Sequence, residues 1–318
     1  MNLYRFGDQC LETPLTFAAL PACTGASPTA RIRITPADAA GSDAAPVEWL
    51  HHWRNPDQSI HLSMARTACC YWLRSPGLCD FLIDPAQGSI KLMSEPELDA
   101  DTLEHLLVDQ ILPRYLAGKG ELVLHAAAMR IDGNAVLFLG ESGWGKSTLA
   151  GLLGNNGFDL LSDDCMILRP GIGQLVAIPT YPSLRLFGDS IAAMGTTDAA
   201  TAPVAYYTDK RRLPAAERMG EPATVGIRVA ALYLLVDPRA GSGRHDIQPL
   251  APAAACMSLI QHSFQLDMKD LAQIKGRLAQ ASAATALVPA FTLDYPRDYA
   301  CADQLVGMLL EHLRSVAQ

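Results

Sequence analysis

The sequence predicts an α/β chain in two parts, a smaller N-terminal α+β domain over residues 1–117 and a larger α/β domain over 118–318. Three observations carry this. "NAVLFLGESGWGKSTLAGLLG", from Asn134, runs from an apolar strand through a glycine-rich loop into a helix. "FDLLSDDCMIL" (158–168) follows as a short apolar strand that ends in two acids. Ahead of residue 118 the pattern is instead one of short alternating runs separated by turn residues.

The whole chain sets bounds. Its 318 residues are 49% hydrophobic, enough for a sizeable core and against wholesale disorder. A formal net charge of −8 argues against a nucleic-acid partner, which wants a basic footprint. No apolar run reaches the roughly eighteen residues of a membrane helix, so membrane insertion is not expected. The start, "MNLYRFGDQCLETPL", lacks the charged-then-apolar pattern of a signal peptide, and a cytoplasmic location is the expectation. The eight cysteines form no C-x-x-C pair and read as buried free thiols.

Taken in order, residues 22–48 are rich in Ala, Pro, Ser, Thr and Asp, with "GSDAAP" as a loop signal. "SIHLSM", "CDFLID" and "QGSIKLM" read as strands, the last after a turn at Pro85–Gly88. From Asp99 to Ala117, Leu103, Leu106, Leu107, Ile111 and Leu112 recur at helical spacing. Asp101 or Thr102 is the expected cap, and Pro113 the expected kink or end. Asp132–Gly133 between apolar runs is a hairpin signal. Beyond 170 come short strands with Pro-rich turns (Pro179, Pro182, Pro203, Pro214, Pro222). "VAALYLLVD" (229–237) then reads as a buried strand, and a mostly helical tail starts at about 252.

Gly140, Gly145, Lys146 and Ser147 spell G-x-x-x-x-G-K-S, the phosphate-binding P-loop, in the strand–loop–helix context that gives the motif meaning. Glycines let backbone N–H groups turn in on phosphates, Lys146 reaches the outer phosphate oxygens, and the Ser147 hydroxyl sits on Mg²⁺. The candidate nucleotide-binding residues are Gly140, Ser142, Gly143, Trp144, Gly145, Lys146, Ser147 and Thr148. If the hairpin register continues from Asp132–Gly133, residue 125 lies opposite 140 and His125 reaches the loop. The alternative is a core histidine. Asp163 and Asp164 offer one metal ligand and one proton acceptor, provided the strand ends or bulges there; otherwise they are a solvated strand end. Lys210, Arg211 and Arg212 form a basic cluster, of which Arg211 is the candidate to stabilise charge on a transferring phosphoryl group; Arg185 is a second candidate. Either is equally a solvated charge. "LDYPRD" (293–298) suggests no mechanism beyond Arg297 pairing with an Asp. N-K-x-D, L-S-G-G-Q, H-R-D and D-F-G motifs are missing, which weighs against a GTPase, an ABC ATPase and an ordinary protein kinase.

His125, Asp132–Gly133, "GESGWGKST" and "GFDLLSDD" together resemble the catalytic domain of the HPr kinase/phosphorylase family over residues 124–168, with Thr148 standing where that family carries Glu. "IPTYPSLRLF" and "LEHLLVDQILPRYLAGKGELVLHAA" look closer still to related kinases that phosphorylate a serine of a lasso-peptide precursor. The resemblance implies a P-loop kinase domain of the HPr kinase/phosphoenolpyruvate carboxykinase type behind an accessory or substrate-selecting N-terminal domain. It implies ATP- and Mg²⁺-dependent transfer of the γ-phosphate to a serine of a peptide or small-protein acceptor. It also implies base and metal roles for the aspartates and His125: Asp163 as general base, His125 as its orienter, Ser147 and Asp164 at Mg²⁺, the two Asp roles being exchangeable. The other readings are a small-metabolite kinase and a non-catalytic ATP-binding regulatory module. An oligomer is compatible with each.

Overall fold

The computed structural model describes residues 1–23, 31–37, 48–55, 57–94, 98–181, 183–195, 201–213 and 226–316. The loop signal at 41–46 and Pro182, Pro214 and Pro222 lie outside the described residues. Two compact units divide the chain: Met1–Glu121 with Gln265–Lys275, and Leu122–Phe264 with Gly276–Gln318. The stretch 265–275 thus belongs to the first unit although the sequence places it deep in the second half. No described helix is long and apolar enough to cross a membrane.

The first unit is built on one sheet. Its strands are β1 (Asn2–Phe6), β2 (Gln9–Thr13), β3 (Arg31–Pro36), β4 (His51–Arg54), β5 (Ile60–Arg66), β6 (Tyr71–Ser75), β7 (Cys79–Asp84) and β8 (Ser89–Ser94), in the order β1-β2-β3-β8-β7-β6-β5-β4. β4 to β8 form an antiparallel meander. β3 lies parallel to both β2 and β8. Alternation explains the buried face: Ile32 and Ile34, Phe81 and Ile83, and Ile90 and Leu92 all point inward.

A helical stretch then follows in three pieces: α1 (Ala100–His105), a π-helical segment (Leu106–Ile111) and α2 (Leu112–Gly118). Asp99, rather than Asp101 or Thr102, is the N-cap, accepting from the Thr102 N–H at 2.8 Å. Pro113 does not end the helix. The Leu112 N–H bonds to the Leu107 carbonyl, five residues back, and the widened turn carries the chain past the missing proline N–H. In α1, Thr102 and Glu104 are buried where Leu103 is only half-buried, and Glu104 accepts from the Ala18 and Ala19 N–H groups.

In the second unit the strands are β9 (Leu122–Leu124), β10 (Ala127–Ile131), β11 (Asn134–Leu139), β12 (Asp159–Ser162), β13 (Met166–Pro170), β14 (Leu175–Pro179), β15 (Leu184–Leu186), β16 (Ala202–Ala205), β17 (Thr208–Leu213), β18 (Ile227–Leu235), β19 (Asp246–Pro249) and β20 (Ala290–Asp294). The helices are α3 (Lys146–Asn155), α4 (Gly188–Ala193), α5 (Pro252–Gln261), α6 (Leu271–Leu287), which starts in the first unit, and α7 (Ala302–Val316). The large sheet runs β12-β10-β11-β18-β14-β13-β9, with β20 beside β18 and β19 beside β20. β15, β17 and β16 form a separate small sheet. Asp132 and Gly133 both have positive φ, 48° and 78°, the left-handed pair a two-residue hairpin turn needs.

Strand alternation divides the core. Ala127, Met129 and Ile131 pack with Leu149 and Leu153 of α3 and Leu305 and Leu309 of α7. Ala126 and Ala128 pack on the other face with Leu259 of α5 and Ala281 and Ala284 of α6. The sheet is therefore apolar on both faces, as a helix-covered sheet must be. β11, β18 and β20 are mutually parallel, so the chain segments that leave their C-terminal ends emerge on one edge.

Candidate functional site

The glycine-rich loop 140–145 leaves β11 at that edge. Gly140, Gly143 and Gly145 take φ values of 153°, 85° and 98°, which is why three glycines are needed within six residues. Left-handed residues alternating with ordinary ones curl successive N–H groups into one hollow. Gly145 precedes α3 and no side chain caps it, so the first-turn N–H groups are left to a ligand rather than a cap. Lys146 is buried, at 5% exposure, and its Nζ donates to the carbonyls of Gly140 at 2.8 Å and Glu141 at 3.1 Å. Burial lowers its pKa, with Asp164 and Asp163 opposing. A Cβ on Gly145 would stand 3.0 Å from the Tyr295 hydroxyl. Gly145→Ala should therefore cost about 1–2 kcal/mol from the left-handed backbone alone and weaken nucleotide binding. Thermal melting and titration calorimetry would read the two effects separately.

β12 ends at Ser162, and Asp164 takes a φ of 75°, so the chain turns where the two acids sit and both serve one region. Asp163 is fully buried. It accepts from Ser147 Oγ at 3.0 Å and from the Arg185 N–H at 3.3 Å. Burial, and then repulsion from Asp164, pushes its carboxyl up to about 7. Asp164 faces the cavity. Its Oδ2 lies 3.4 Å from Arg185 Nη1 and its Oδ1 3.7 Å from His125 Nδ1. Burial pushes Asp164 up, but Arg185, His125, Lys210 and Lys146 together outweigh it and hold the group well below the ordinary carboxylate range. Of the two carboxylates, it is Asp163 that the Ser147 hydroxyl bonds.

His125 reaches the site by another route than hairpin continuation. Pairing of β10 with β11 stops at Ala127↔Phe138, and the preceding strand β9 crosses to pair with β13. The His125 N–H bonds to the His262 carbonyl at 2.8 Å, and its ring lies edge-on to Phe264. Desolvation, and then the Lys146 ammonium, lowers its pKa, with Asp164 opposing. The ring is therefore neutral at pH 7 and its contact with Asp164 is polar rather than ionic.

Of the basic cluster, Lys210 lines the cavity, its Nζ 5.4 Å from the centre of the Phe187 ring. Arg211, expected there, turns to the opposite face of β17. Its Nε donates to Thr201 Oγ1 and its Nη2 to the Thr201 carbonyl. Trp144 likewise does not line the cavity. It packs against the core below the loop, where a Cβ on Gly140 would stand 3.0 Å from its ring. Gly143, Ser142 and Thr148 do line it, and Thr148 Oγ1 lies 3.2 Å from Ser190 Oγ, itself 2.9 Å from the Tyr299 hydroxyl.

These residues surround an open cavity of about 300 Å³ whose remaining wall is the 295–299 segment that leaves β20. That wall corresponds to "LDYPRD", whose place beside the loop follows from the parallel pairing of β20 with β18 and not from any local motif. The donor set fits a nucleoside triphosphate with Mg²⁺. Glycines with positive φ form the cradle, a buried ammonium crosses it, and one hydroxyl and two carboxylates lie beside it. Among the described residues no three metal-ligating side chains cluster. Mg²⁺ suits such a site because it takes one or two carboxylates and finds its other ligands on phosphates and water.

No family model and no curated protein matches the chain. Among solved structures it is similar to the Hpr(Ser) kinase/phosphatase from Coxiella burnetii, at 15% identity, over 60% of this chain and 98% of that one, with a TM-score of 0.31.

Proposed function

We propose that the protein is an ATP- and Mg²⁺-dependent kinase that transfers the γ-phosphoryl group to a serine hydroxyl of a peptide or small protein. The observation that carries this is the meeting of a P-loop lysine, a Ser147–Asp163 hydrogen bond and a cavity-facing Asp164 around one opening. The serine acceptor is carried by the resemblance of residues 124–168 to HPr kinases.

A nucleotide bound here would supply the phosphoryl group, and a divalent cation held near Ser147 and Asp163 would offset its charge. The chain's own groups would position it: the loop N–H groups and Lys146 would hold the phosphates, and Ser147, bonded to Asp163, would hold the cation. Asp164 accepts the hydrogen bond of the incoming hydroxyl and takes its proton as the new O–P bond forms and the bond to the β-phosphate breaks. A depressed pKa does not disqualify Asp164, because in a loose transition state the hydroxyl proton is lost late and orientation matters most. Neutral His125 fixes the carboxylate from one side and Arg185 from the other. Lys210, the member of the basic cluster that lines the cavity, is the candidate to meet the developing charge. Lys210→Ala should lower turnover about tenfold or more, while Arg211→Ala should leave it close to wild type. Equal losses in the two would reject this assignment.

The direct test is mass spectrometry of serine-containing peptides and small proteins encoded beside the gene, after incubation with protein and Mg-ATP. A gain of one phosphate on serine that depends on Lys146 supports the kinase. ATP binding with no phosphorylated acceptor of any kind points to a regulatory module, and phosphate found only on a small metabolite moves the acceptor class.

A further inference from the structure

The cavity wall opposite the carboxylates is built from an arginine that the mechanism above does not use. Tyr295 follows β20 and is buried, with its hydroxyl against Gly145 of the P-loop. Burial pushes this phenol up to about 12, so the ring is neutral. The Arg297 guanidinium carbon lies 3.5 Å from the centre of that ring, a close cation–π contact. Nη1 donates to the Tyr295 carbonyl at 2.8 Å and Nη2 to the Val236 carbonyl at 2.9 Å. The expected pairing with an aspartate is not what the structure holds: Asp298, next in sequence, accepts from the Ala300 N–H instead. Arg297 is therefore held as a flat plate, pinned at its edge by two carbonyls and backed on one face by a buried ring, yet it remains exposed and lines the cavity. Leu152 and Leu305 add apolar surface to the same cavity.

A fixed guanidinium plane with one free face is a surface on which a heteroaromatic ring stacks. Its position fits that use. The segment leaves the same sheet edge as the P-loop, so a ring attached to phosphates held by Gly143–Lys146 lies within reach of it. We infer that the outer face of Arg297 is a nucleobase platform that gives this protein a preference for purine over pyrimidine nucleotides. The inference rests on the nucleotide reading above and extends it to the part of the molecule that no phosphate contact specifies. A two-ring base overlaps the plate more fully than a one-ring base, while the phosphate contacts are shared by every nucleotide and carry no preference.

The test is calorimetric binding of Mg-ATP, Mg-UTP and inorganic tripolyphosphate to the full chain, as wild type, Arg297→Ala and Arg297→Lys. Stacking of one base is expected to contribute about tenfold in affinity. Because a pyrimidine keeps part of the stacking, wild type should bind Mg-ATP tighter than Mg-UTP by a margin of up to about tenfold. Both variants should lose most of that margin and keep tripolyphosphate affinity. Arg297→Lys retains the charge without the plane, so its failure to retain the margin separates stacking from simple attraction. Equal weakening of all three ligands would make Arg297 a phosphate contact and overturn the inference. So would a purine margin that survives both substitutions. Wild-type protein that binds neither nucleotide nor tripolyphosphate would instead remove the nucleotide reading itself, and the platform with it.

Discussion

Lys146→Ala is expected to abolish phosphoryl transfer, lowering turnover by about 10²–10³-fold or more, as loss of one preorganised charge at a developing anion does. The ammonium is almost fully buried and is held over the loop by two carbonyls, so its position is fixed before any ligand arrives. That arrangement makes the substitution clean. A buried cation is removed, its two carbonyl acceptors belong to a loop open to the cavity, and Lys146→Met keeps the apolar stem. Both variants shed the desolvation cost of the ammonium but also the charge that compensates Asp164 and Asp163, so some loss of stability is expected and thermal melting is used to select folded protein. Substantial phosphorylation by either folded variant would sink the catalytic assignment. A large drop in melting temperature would mean the lysine holds the loop together.

Asp163→Asn should show the opposite signs for activity and stability: turnover falls, and the protein becomes harder to unfold at alkaline pH. The carboxyl is raised to about 7 in the folded protein against about 3.9 in an unfolded chain. Between those values the folded state binds more protons than the unfolded one, so the contribution of Asp163 to stability falls as pH rises through that window. It is fully unfavourable above pH 7 and absent below about 4. The asparagine variant removes that penalty and keeps an oxygen to accept from Ser147. Its melting temperature should match wild type near pH 4, pull ahead as pH rises to 7, and lead above that. The gain should be about 2–4 °C for each kcal/mol recovered. Scans at several pH values in the presence of a chelator would read this, and a lead that is largest at pH 4 would contradict the origin given for the shift.

How much of this was legible in the sequence depended on how local its cause was. The hairpin at Asp132–Gly133, the strand–loop–helix at 134–155 and the turn at Asp163–Asp164 are each specified within a few residues, by positive-φ positions and apolar runs, and the structure has them where the pattern put them. The N-terminal strands β1, β2, β4 and β6 are only four or five residues long and their alternation is broken by half-buried positions, while β3 alternates cleanly but begins inside the Ala-, Pro- and Ser-rich run that signals a loop. His125 was placed beside the loop by a register that stops two residues too early. Its actual placement is decided by β13 and by residues 262–264, which no local pattern reveals. Nothing local in "DKRRL" says whether Lys210 or Arg211 faces the site. The choice is made by which face of β17 each occupies, and that follows from the pairing of Leu186 with Arg211, 25 positions away. Arg297 carried no readable role because its partners are a ring and two main-chain carbonyls, which leave no charge pattern.

The return of residues 265–275 to the first unit has a consequence for how the molecule is made. Arg66 Nε donates to the buried Asp267 at 2.9 Å, a bond that closes across 201 positions of sequence. A ribosome that has delivered residues 1–121 has delivered every strand of the first sheet but not this carboxylate, nor Leu266, whose side chain fills the space beside Gly118. The N-terminal unit therefore waits for its last piece until most of the second unit has emerged. Its completion is a late, long-range event, slow by the logic that ties folding speed to the sequence separation of native contacts. A fragment ending at residue 121 would carry the unit's sheet without the segment that closes it, and excision of 265–275 would damage the part of the chain farthest from the cut.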